Sequence, residues 1–383
     1  MPKPISVNTV KIQNRLSVFR ELAYAGESTR TELARKCGLS LGTVVTILEE
    51  LAAHGIVVET LDQRTTVGRK PHLVRLVGNA KRVISIDLAS RNFLYEIFHV
   101  DLNEGVGAKY QFLAEKSFEA NLRRMLLEIR RCMKELEIDD DEIIGVGVSV
   151  PGSYRYSSDS IENAPFPELQ QMALKTLMQE YFGQTISIDH DVFLATRAEI
   201  RYIPDYRNKN VFYMFLGEGV GGALAAGGEL YRGAREDAGD IGRMYITDNE
   251  TLEELVSWNR TAPLLEYDGS TQAVESWRVV ASGEEPGGSQ AGTPIPAAVE
   301  EVARVVARAL QNAFWILDPN CFVIGGEYQR FGSAFINLIV QELKSFLEPS
   351  VMETLEVRIS RHGARGALLG AAQMARQEWL VSL

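Results

Sequence analysis

The chain has 383 residues and a mass of 42.6 kDa, with 45% apolar and 24% charged residues, which is typical of soluble globular proteins of two or three domains. No apolar run comes near the roughly eighteen residues of a membrane span, and the N-terminus lacks a signal-peptide core, so we expect a cytoplasmic protein without membrane contact. Cys37, Cys132 and Cys321 form no C-x-x-C pair, which argues against a disulfide framework and against a cysteine-rich zinc site.

The net charge of −11 is unevenly distributed along the chain. Residues 1–82 hold 13 Lys and Arg against 7 Asp and Glu, whereas the rest holds 27 against 44. A basic head on an acidic body predicts that the head meets a polyanion while the body is repelled by it.

The head begins with two predicted helices. Apolar residues recur at helical spacing from Ile12 to Ala23, which predicts the first helix. Thr29 and Glu32 have the spacing of a capping box, which predicts that a short second helix starts there and runs through Cys37. Helix, turn and further helix in a basic segment are typical of DNA-binding heads.

A third helix follows the turn at Gly38, with Ser40 as its predicted N-cap. Val44, Leu48 and Leu51 give it one apolar face, and its other face is small and polar. Glycine in the first turn weakens the helix but permits close approach to DNA. We expect this face to enter the major groove of double-stranded DNA. The predicted contact residues are Ser40, Gly42, Thr43, Val45 and Thr46.

Two predicted strands, GIVVET and HLVRLV, enclose the basic, turn-rich segment LDQRTTVGRKP. Arg64, Arg69 and Lys70 in this segment would reach the DNA backbone or minor groove. A hairpin with a positive tip beside a recognition helix is a winged helix-turn-helix, and the sequence resembles that of many bacterial regulators. The alternative is a small helical bundle.

Beyond residue 81, strands alternate with amphipathic helices, which predicts α/β lobes that bind ligands at strand carboxyl ends. The predicted strands are Val83–Leu88, Phe93–Val100, Ile143–Val150, Thr185–Ile188, Val211–Leu216 and Cys321–Ile324. The predicted helices are 119–136, 169–182, 297–317 and 335–347. The expected domains are 1–80 for DNA binding, 81–197 for a first lobe on which the C-terminal helix 363–383 packs, and 198–362 for a second lobe with the effector cleft and the dimerisation surface.

The order of motifs is more specific than any one of them. A strand ending in Asp is followed by a strand with VPG, then DHD, a strand with a glycine-rich turn, AGDIG, and LDP before two glycines. This order resembles the ROK family, whose members include bacterial sugar kinases and sugar-responsive repressors. The resemblance covers essentially the whole chain. It implies a winged helix-turn-helix followed by a two-lobed actin-like ATPase (ribonuclease H-like) α/β domain.

The first phosphate turn of the family's kinases departs from its pattern here. In those kinases the first strand ends in Asp-x-Gly-Gly-Thr. This chain keeps Asp87 but places Ala89, Ser90 and Arg91 where the glycines and threonine belong. Side chains would then occupy the space that a phosphate needs.

Each of the other two nucleotide loops contains a glutamate that the family's pattern lacks. The family's Gly-Thr-Gly-x-Gly loop has Glu218 in place of threonine, and the third glycine-rich loop continues with Glu327. The resemblance therefore implies a body that is not an enzyme and needs no cofactor. The vestigial nucleotide-loop residues are Asp87, Gly217, Gly219, Gly221, Gly325 and Gly326.

The motifs that bind the sugar in the family's kinases are altered less than the nucleotide loops. The family's Asn-Asp pair is here His190-Asp191, so the resemblance leaves Asp191 as a vestigial general base. The family's Gly-Glu-x-Gly-His is here a motif with Asp240 and Arg243. An arginine there suits an effector smaller or more anionic than a hexose, unless Arg243 pairs with Asp240 or Asp191. The predicted effector-binding residues are Asn163, His190, Asp191, Asp240 and Arg243.

Many members of the family hold zinc through that histidine and a downstream cysteine cluster. Here the histidine is replaced by Arg243, and residues 244–260 contain no cysteine. No metal site of this type is expected, because the ligands are missing.

We therefore expect a repressor that binds a palindromic operator as a homodimer or tetramer and senses a sugar or sugar derivative. One alternative is an ATP-dependent sugar kinase with Asp191 as base and Asp87 for Mg²⁺. Another is a repressor whose cleft has lost its ligands and which works constitutively or through a protein partner.

Overall fold

A computed structural model describes residues 7–61, 72–89, 93–162, 166–202, 209–265 and 295–383. The chain divides into two compact units. Unit 1 comprises Met1–Asp189 with Ala371–Leu383, and unit 2 comprises His190–Gly370. The division into three domains at 80, 197 and 362 is finer than this one and stays a prediction.

The head of unit 1 consists of three helices and a small antiparallel sheet. Its elements are α1 Val7–Ala25, β1 Glu27–Thr29, α2 Arg30–Cys37, α3 Leu41–Ala53, β2 Val57–Leu61 and β3 His72–Leu76. The sheet has the order β1-β3-β2, and β2 pairs with β3 from Val57 opposite Leu76 to Leu61 opposite His72. This pairing makes the helical-bundle alternative wrong. The predicted wing tip, with Arg64, Arg69 and Lys70, lies outside the described residues.

The rest of unit 1 is a five-stranded sheet with helices. The elements are β4 Arg82–Asp87, β5 Leu94–His99, β6 Gly105–Lys109, α4 Phe118–Glu135, β7 Ile143–Val150, β8 Ser153–Arg155, β9 Ser160–Glu162, α5 Pro167–Gln170, α6 Leu174–Gln179 and β10 Ile186–His190. The strand order is β10-β7-β4-β5-β6, in which β4 is parallel to β7 and antiparallel to β5. The apolar face of α4 and the inner residues of β4 and β7 form one core.

The helix predicted over residues 169–182 is wrong in its extent, because α5 and α6 are separate helices. The carboxylate of Asp159, from the β8–β9 hairpin, accepts hydrogen bonds from the backbone N–H groups of Lys175 and Thr176, both at 2.9 Å. These N–H groups belong to the first turn of α6 and have no partner within the helix. A residue distant in sequence therefore caps α6 and fixes where it begins.

Unit 2 contains a second five-stranded sheet, of order β13-β12-β11-β14-β15. Its elements are α7 Asp191–Tyr202, β11 Val211–Leu216, β12 Val220–Ala226, β13 Glu229–Tyr231, α8 Leu252–Val256, α9 Trp258–Thr261, α10 Ala297–Leu317, β14 Cys321–Gly326, α11 Gly332–Phe346, α12 Pro349–Met352 and β15 Glu356–Ile359. β11 is parallel to β14 and antiparallel to β12, and α10 and α11 pack in the same core as these strands.

The last helix, α13, spans Gly366–Ser382. Within unit 1 it lies against β7, where Gly147 leaves space for the backbone of Ala371. It also contacts the head, since the guanidinium of Arg376 lies 5.0 Å from the ring centre of Phe19 in α1. None of the helices in the described ranges combines the length and the apolar character needed to cross a membrane.

Candidate functional site

The helix-turn-helix of the head is fixed by local hydrogen bonds. Thr29 and Glu32 form the predicted capping box at the start of α2, with Glu32 N–H donating to Thr29 Oγ1 at 3.2 Å. Gly38 ends α2 with a φ of 65°, a conformation that glycine adopts without strain. Ser40 then caps α3, because its Oγ accepts the N–H of Thr43 at 3.1 Å. The predicted caps of both helices are thus confirmed.

The apolar side of α3 is buried in the head, and its other side faces outward. The buried residues are Val44, Ile47, Leu48 and Leu51. Gly42 and Thr46 are exposed, and Thr43 and Val45 are half-buried. The structure therefore brings the predicted contact residues of the third helix, together with Ser40, to one outer surface. Whether DNA lies on this surface stays a prediction.

Sequence reasoning missed two cations beside this surface. Arg35 and Lys36, in the last turn of α2, are exposed, and Cys37 separates them from the turn to α3. Arg30, by contrast, forms two hydrogen bonds with Glu59 of β2, at 2.8 and 2.7 Å, which raise the pKa of its guanidinium. The adjacent Arg-Lys pair just before the turn was the sequence signal that could have identified Arg35 and Lys36.

Asp191 is the first residue of α7, and its side chain is 15% exposed. Its Oδ1 accepts the N–H of Val192 at 2.7 Å and lies 3.2 Å from Nε2 of His190. Burial raises the pKa of the Asp191 carboxyl, while His190 and the backbone N–H groups act against that shift. A carboxyl with a raised pKa at a helix start can bind a hydroxyl group or take a proton from one.

Asp240 and Arg243 stand in one turn and are bonded to each other. Arg243 Nε donates to Asp240 Oδ2 at 2.6 Å, and the two side chains are 68% and 41% exposed. The alternative in which Arg243 pairs with Asp240 is therefore what the structure shows. Because its charge is already paired, Arg243 gives no support to an effector that is more anionic than a sugar.

The start of β12 packs against both segments that hold the predicted effector residues of unit 2. A Cβ on Gly221 would lie 3.2 Å from Val192, the neighbour of Asp191. A Cβ on Gly242, in the turn that follows Asp240, would overlap the carbonyl oxygen of Val220, the first residue of β12. The backbone of the turn that holds Asp240 is thus packed on β12 beside the start of α7. Asn163, the fifth predicted effector residue, lies outside the described residues.

Backbone groups at the glycine-rich turn before β12 form hydrogen bonds with neighbouring segments of unit 2. Gly217 accepts the N–H of Trp258 at 2.7 Å, and the N–H of Val220 donates to Glu253 Oε2 at 2.8 Å. Glu218 is exposed. The donor at Val220 is therefore already bound to a carboxylate of the same unit, a contact that sequence reasoning missed because it depends on the fold.

The glycines of β14 have a structural explanation. A Cβ on Gly325 would overlap the hydroxyl of Tyr213, and one on Gly326 would overlap the backbone of Leu216. Both positions pack on β11, the parallel neighbour of β14. Close strand packing therefore accounts for these glycines without a nucleotide, and their role as vestigial nucleotide contacts stays a prediction.

Asp87 ends β4 and stabilises its own turn. Its Oδ1 accepts the N–H of Ala89 at 3.0 Å, as a short polar side chain does in an Asx turn. Ser90 and Arg91, which replace the phosphate-turn residues, lie outside the described residues. Among the residues that the structure describes, no group of three or more His, Cys, Asp or Glu could hold a metal ion.

The sequence profile of the ROK family matches residues 100–253 and 289–378, which is more than half of the chain. The chain belongs to the ROK family.

Two regulators are similar to this ROK protein over nearly its whole length. A xylose repressor from Caldicellulosiruptor bescii is 22% identical in an alignment of 389 positions that covers 96% of each chain. The crystal structure of a ROK family transcriptional regulator, a homologue of E. coli MLC protein, covers 97% of this chain and 98% of its own, with a TM-score of 0.74 and 17% identity. The predicted fold class, a head followed by an α/β body of the sugar-kinase type, is confirmed.

A kinase of the family covers a smaller share of this chain. The structure of a ROK hexokinase from Thermus thermophilus covers 78% of this ROK protein but 98% of its own chain, with a TM-score of 0.58 and 21% identity. Nearly all of that hexokinase is thus matched, whereas about a fifth of the present chain has no counterpart in it. The predicted assignment to the ROK family and to its transcriptional regulators is confirmed.

Proposed function

We propose that this chain is a DNA-binding transcriptional repressor that controls genes of sugar metabolism in response to a sugar or sugar derivative. The observation that carries the proposal is the capped helix-turn-helix of the head, with the outer face of α3 open to solvent, on a ROK body. The full-length match to a xylose repressor and to a regulator structure supports it. A kinase has no need of such a head.

The body would serve as the sensor of the effector. Asp191 and Asp240, both near the start of β12, offer acceptors suited to sugar hydroxyl groups, with His190 beside Asp191. Arg243 holds Asp240 in place rather than binding an anion. Asn163 completes the proposed set on sequence grounds alone.

The repressor would act in the cytoplasm as a homodimer or tetramer on a palindromic operator. Two α3 helices must meet successive major grooves of the duplex, about one helical turn (~34 Å) apart. An effector that changes their spacing would change affinity for the operator. Whether it releases or strengthens DNA binding depends on which spacing it favours.

The proposal is tested by selecting genomic fragments bound by the purified full-length protein at physiological salt. A compact palindromic site is expected, and sugars that alter binding identify the effector. In the double variant Arg35→Ala/Lys36→Ala, the slope of log affinity against log salt should fall by about 2, since each phosphate contact contributes about 0.9. The control Arg131→Ala/Lys134→Ala removes two exposed cations from α4 and should leave the slope unchanged.

A sugar kinase is the second candidate, and the raised pKa of Asp191 at the start of α7 is the observation in its favour. A coupled phosphorylation assay over a panel of sugars separates the two. Turnover that disappears in Asp191→Asn would establish the kinase and contradict a sensor without enzymatic activity. Sequence-indifferent binding that falls steeply with salt would contradict the repressor.

A further inference from the structure

The outward face of α3 has an unusual composition for a helix that meets DNA. Leu41, at its start, is 51% exposed, Thr46 and Glu49 are exposed, and Val45 is half-buried. Leu41–Ala53 contains no Arg, Lys, Asn or Gln. These four residue types make the bidentate contacts that identify guanine and adenine in the major groove. The helix therefore has no side chain for that kind of readout.

The hydroxyl groups of Ser40, Thr43 and Thr46 each make a hydrogen bond within the head. Ser40 Oγ and Thr43 Oγ1 lie 2.8 Å apart, and Ser40 Oγ also accepts the N–H of Thr43. Thr46 Oγ1 donates to the carbonyl of Gly42 at 3.2 Å. The groups that have no such contact within the head are chiefly apolar, namely the side chains of Leu41 and Val45 and the methyl group of Thr46. In the major groove, the apolar feature is the C5-methyl group of thymine.

Gly42 is not explained by the head itself. A Cβ at this position would meet only Ser40 Oγ, at 3.9 Å, and Gly42 is not among the glycines with positive φ. Glycine inside a helix costs about 1 kcal/mol relative to alanine, so its presence needs a reason. Close approach of an external surface between Leu41 and Val45 supplies that reason.

Glu49 continues the same face toward the end of α3. Its carboxylate is only an acceptor of hydrogen bonds, and the major-groove edge of guanine, with N7 and O6, offers only acceptors. Guanine opposite Glu49 is therefore disfavoured. Cations for the phosphates stand nearby on α2, at the exposed Arg35 and Lys36.

We propose that α3 selects thymine in the operator half-site through contacts of Leu41, Val45 and Thr46 with C5-methyl groups, and that Glu49 excludes guanine. The inference rests on the proposed function, because it names the bases that the repressor reads. It assigns specificity to apolar contacts and places the charged contacts outside the recognition helix.

The test replaces thymine by uracil at single positions of the duplex selected by the wild-type protein. Uracil lacks only the C5-methyl group and keeps every hydrogen-bonding atom of thymine. At positions under α3 the affinity should fall about four-fold per methyl group, the value for withdrawing one such carbon from water. Thymines outside the α3 positions should show no such loss.

Side-chain variants assign each methyl group to its partner. Val45→Ala and Leu41→Ala should bind the thymine site more weakly and lose the difference between thymine and uracil at one position each. Val10→Ala changes an exposed valine on α1 and should keep the full difference. Glu49→Gln should admit bases that the wild type rejects at its position.

The outcomes separate this inference from the function on which it rests. An enriched operator at which uracil binds as well as thymine under α3, or at which guanine is selected there, would overturn the inference and leave the repressor intact. Absence of any enriched sequence would overturn the proposed function and this inference with it.

Discussion

The guanidinium of Arg15 in α1 donates a hydrogen bond to the backbone carbonyl of Leu380 in α13, at 2.7 Å, across 365 residues of sequence. Arg15 is 2% exposed, and its other terminal nitrogen donates to Glu50 of α3 at 3.1 Å. Leu380 lies in the last turn of its helix, where carbonyl groups have no partner within the helix. One buried cation thus ties the first helix of the head to α3 and to the end of the chain.

We expect Arg15→Met to weaken this attachment. Methionine keeps an apolar stem but leaves the Leu380 carbonyl without its donor, and an unsatisfied buried polar group costs about 1–3 kcal/mol. The free energy of unfolding, measured by urea titration, should fall by that amount. Hydrogen exchange at the end of α13 should become faster. Arg20→Met, at an exposed position of the same helix, is the control, and an equal loss in both variants would contradict the assignment.

Gly147→Ala tests the packing of α13 on β7. A Cβ at Gly147 would overlap the backbone carbonyl of Ala371. Because this carbonyl belongs to helix α13 and Gly147 to strand β7, the overlap can be relieved only if the helix or the strand moves. Overpacking of this kind typically costs 1–3 kcal/mol of unfolding free energy. Gly183→Ala is the matched control, because nothing lies within 4 Å of its Cβ and its φ is not positive. Thermal denaturation should show a clear loss for Gly147→Ala and none for the control.

Continuous apolar segments were predictable from the sequence. The strands Ile143–Val150 and Val211–Leu216 and the helix Ala297–Leu317 have the predicted bounds, because the long apolar segments end there at glycine, proline, asparagine or charged residues. β12 was predicted as a turn because of its glycines, although it pairs with β11 over six residues. Those glycines accommodate neighbours on β11, such as Phe212 against Gly222, which only the assembled sheet shows.

Contacts in the candidate sites were predictable from the sequence where both interacting residues lie in one short segment. The caps at Thr29 and Ser40 and the pairing of Arg243 with Asp240 fall in this class. Contacts between distant segments were not predictable, since neither propensity nor spacing encodes them. Glu253 on the N–H of Val220 is one example.

Asp191→Asn should stabilise the protein in a pH-dependent way. Burial raises the pKa of Asp191 in the folded state, so the folded protein binds this proton more tightly than the unfolded chain does. The unfavourable contribution of the ionised carboxylate is absent below the ordinary pKa of aspartate, grows as pH rises through the raised pKa and is complete above it. The difference in Tm between variant and wild type should therefore increase from pH 4 to pH 8.

Asp240→Asn is the control for this measurement, because its carboxylate is 41% exposed and lies on the surface. A general effect of replacing a carboxylate by an amide would appear equally in both variants. A constant or falling difference for Asp191→Asn would show that the carboxylate is stabilised by its neighbours more than it is destabilised by burial.

Glu218→Thr should strengthen the binding of ATP. Glu218 is exposed in the loop that holds phosphates in the kinases of the family, and two like charges about 4 Å apart repel by roughly 4 kcal/mol at an effective dielectric near 20. Solvent reduces this several-fold, so we expect affinity to rise by about five-fold, less at high salt. Titration with a fluorescent ATP analogue in the presence of Mg²⁺ measures the change. Glu229→Thr removes an exposed carboxylate from β13 of the same unit and should leave affinity unchanged. If both variants gain equally, net charge rather than the loop weakens nucleotide binding.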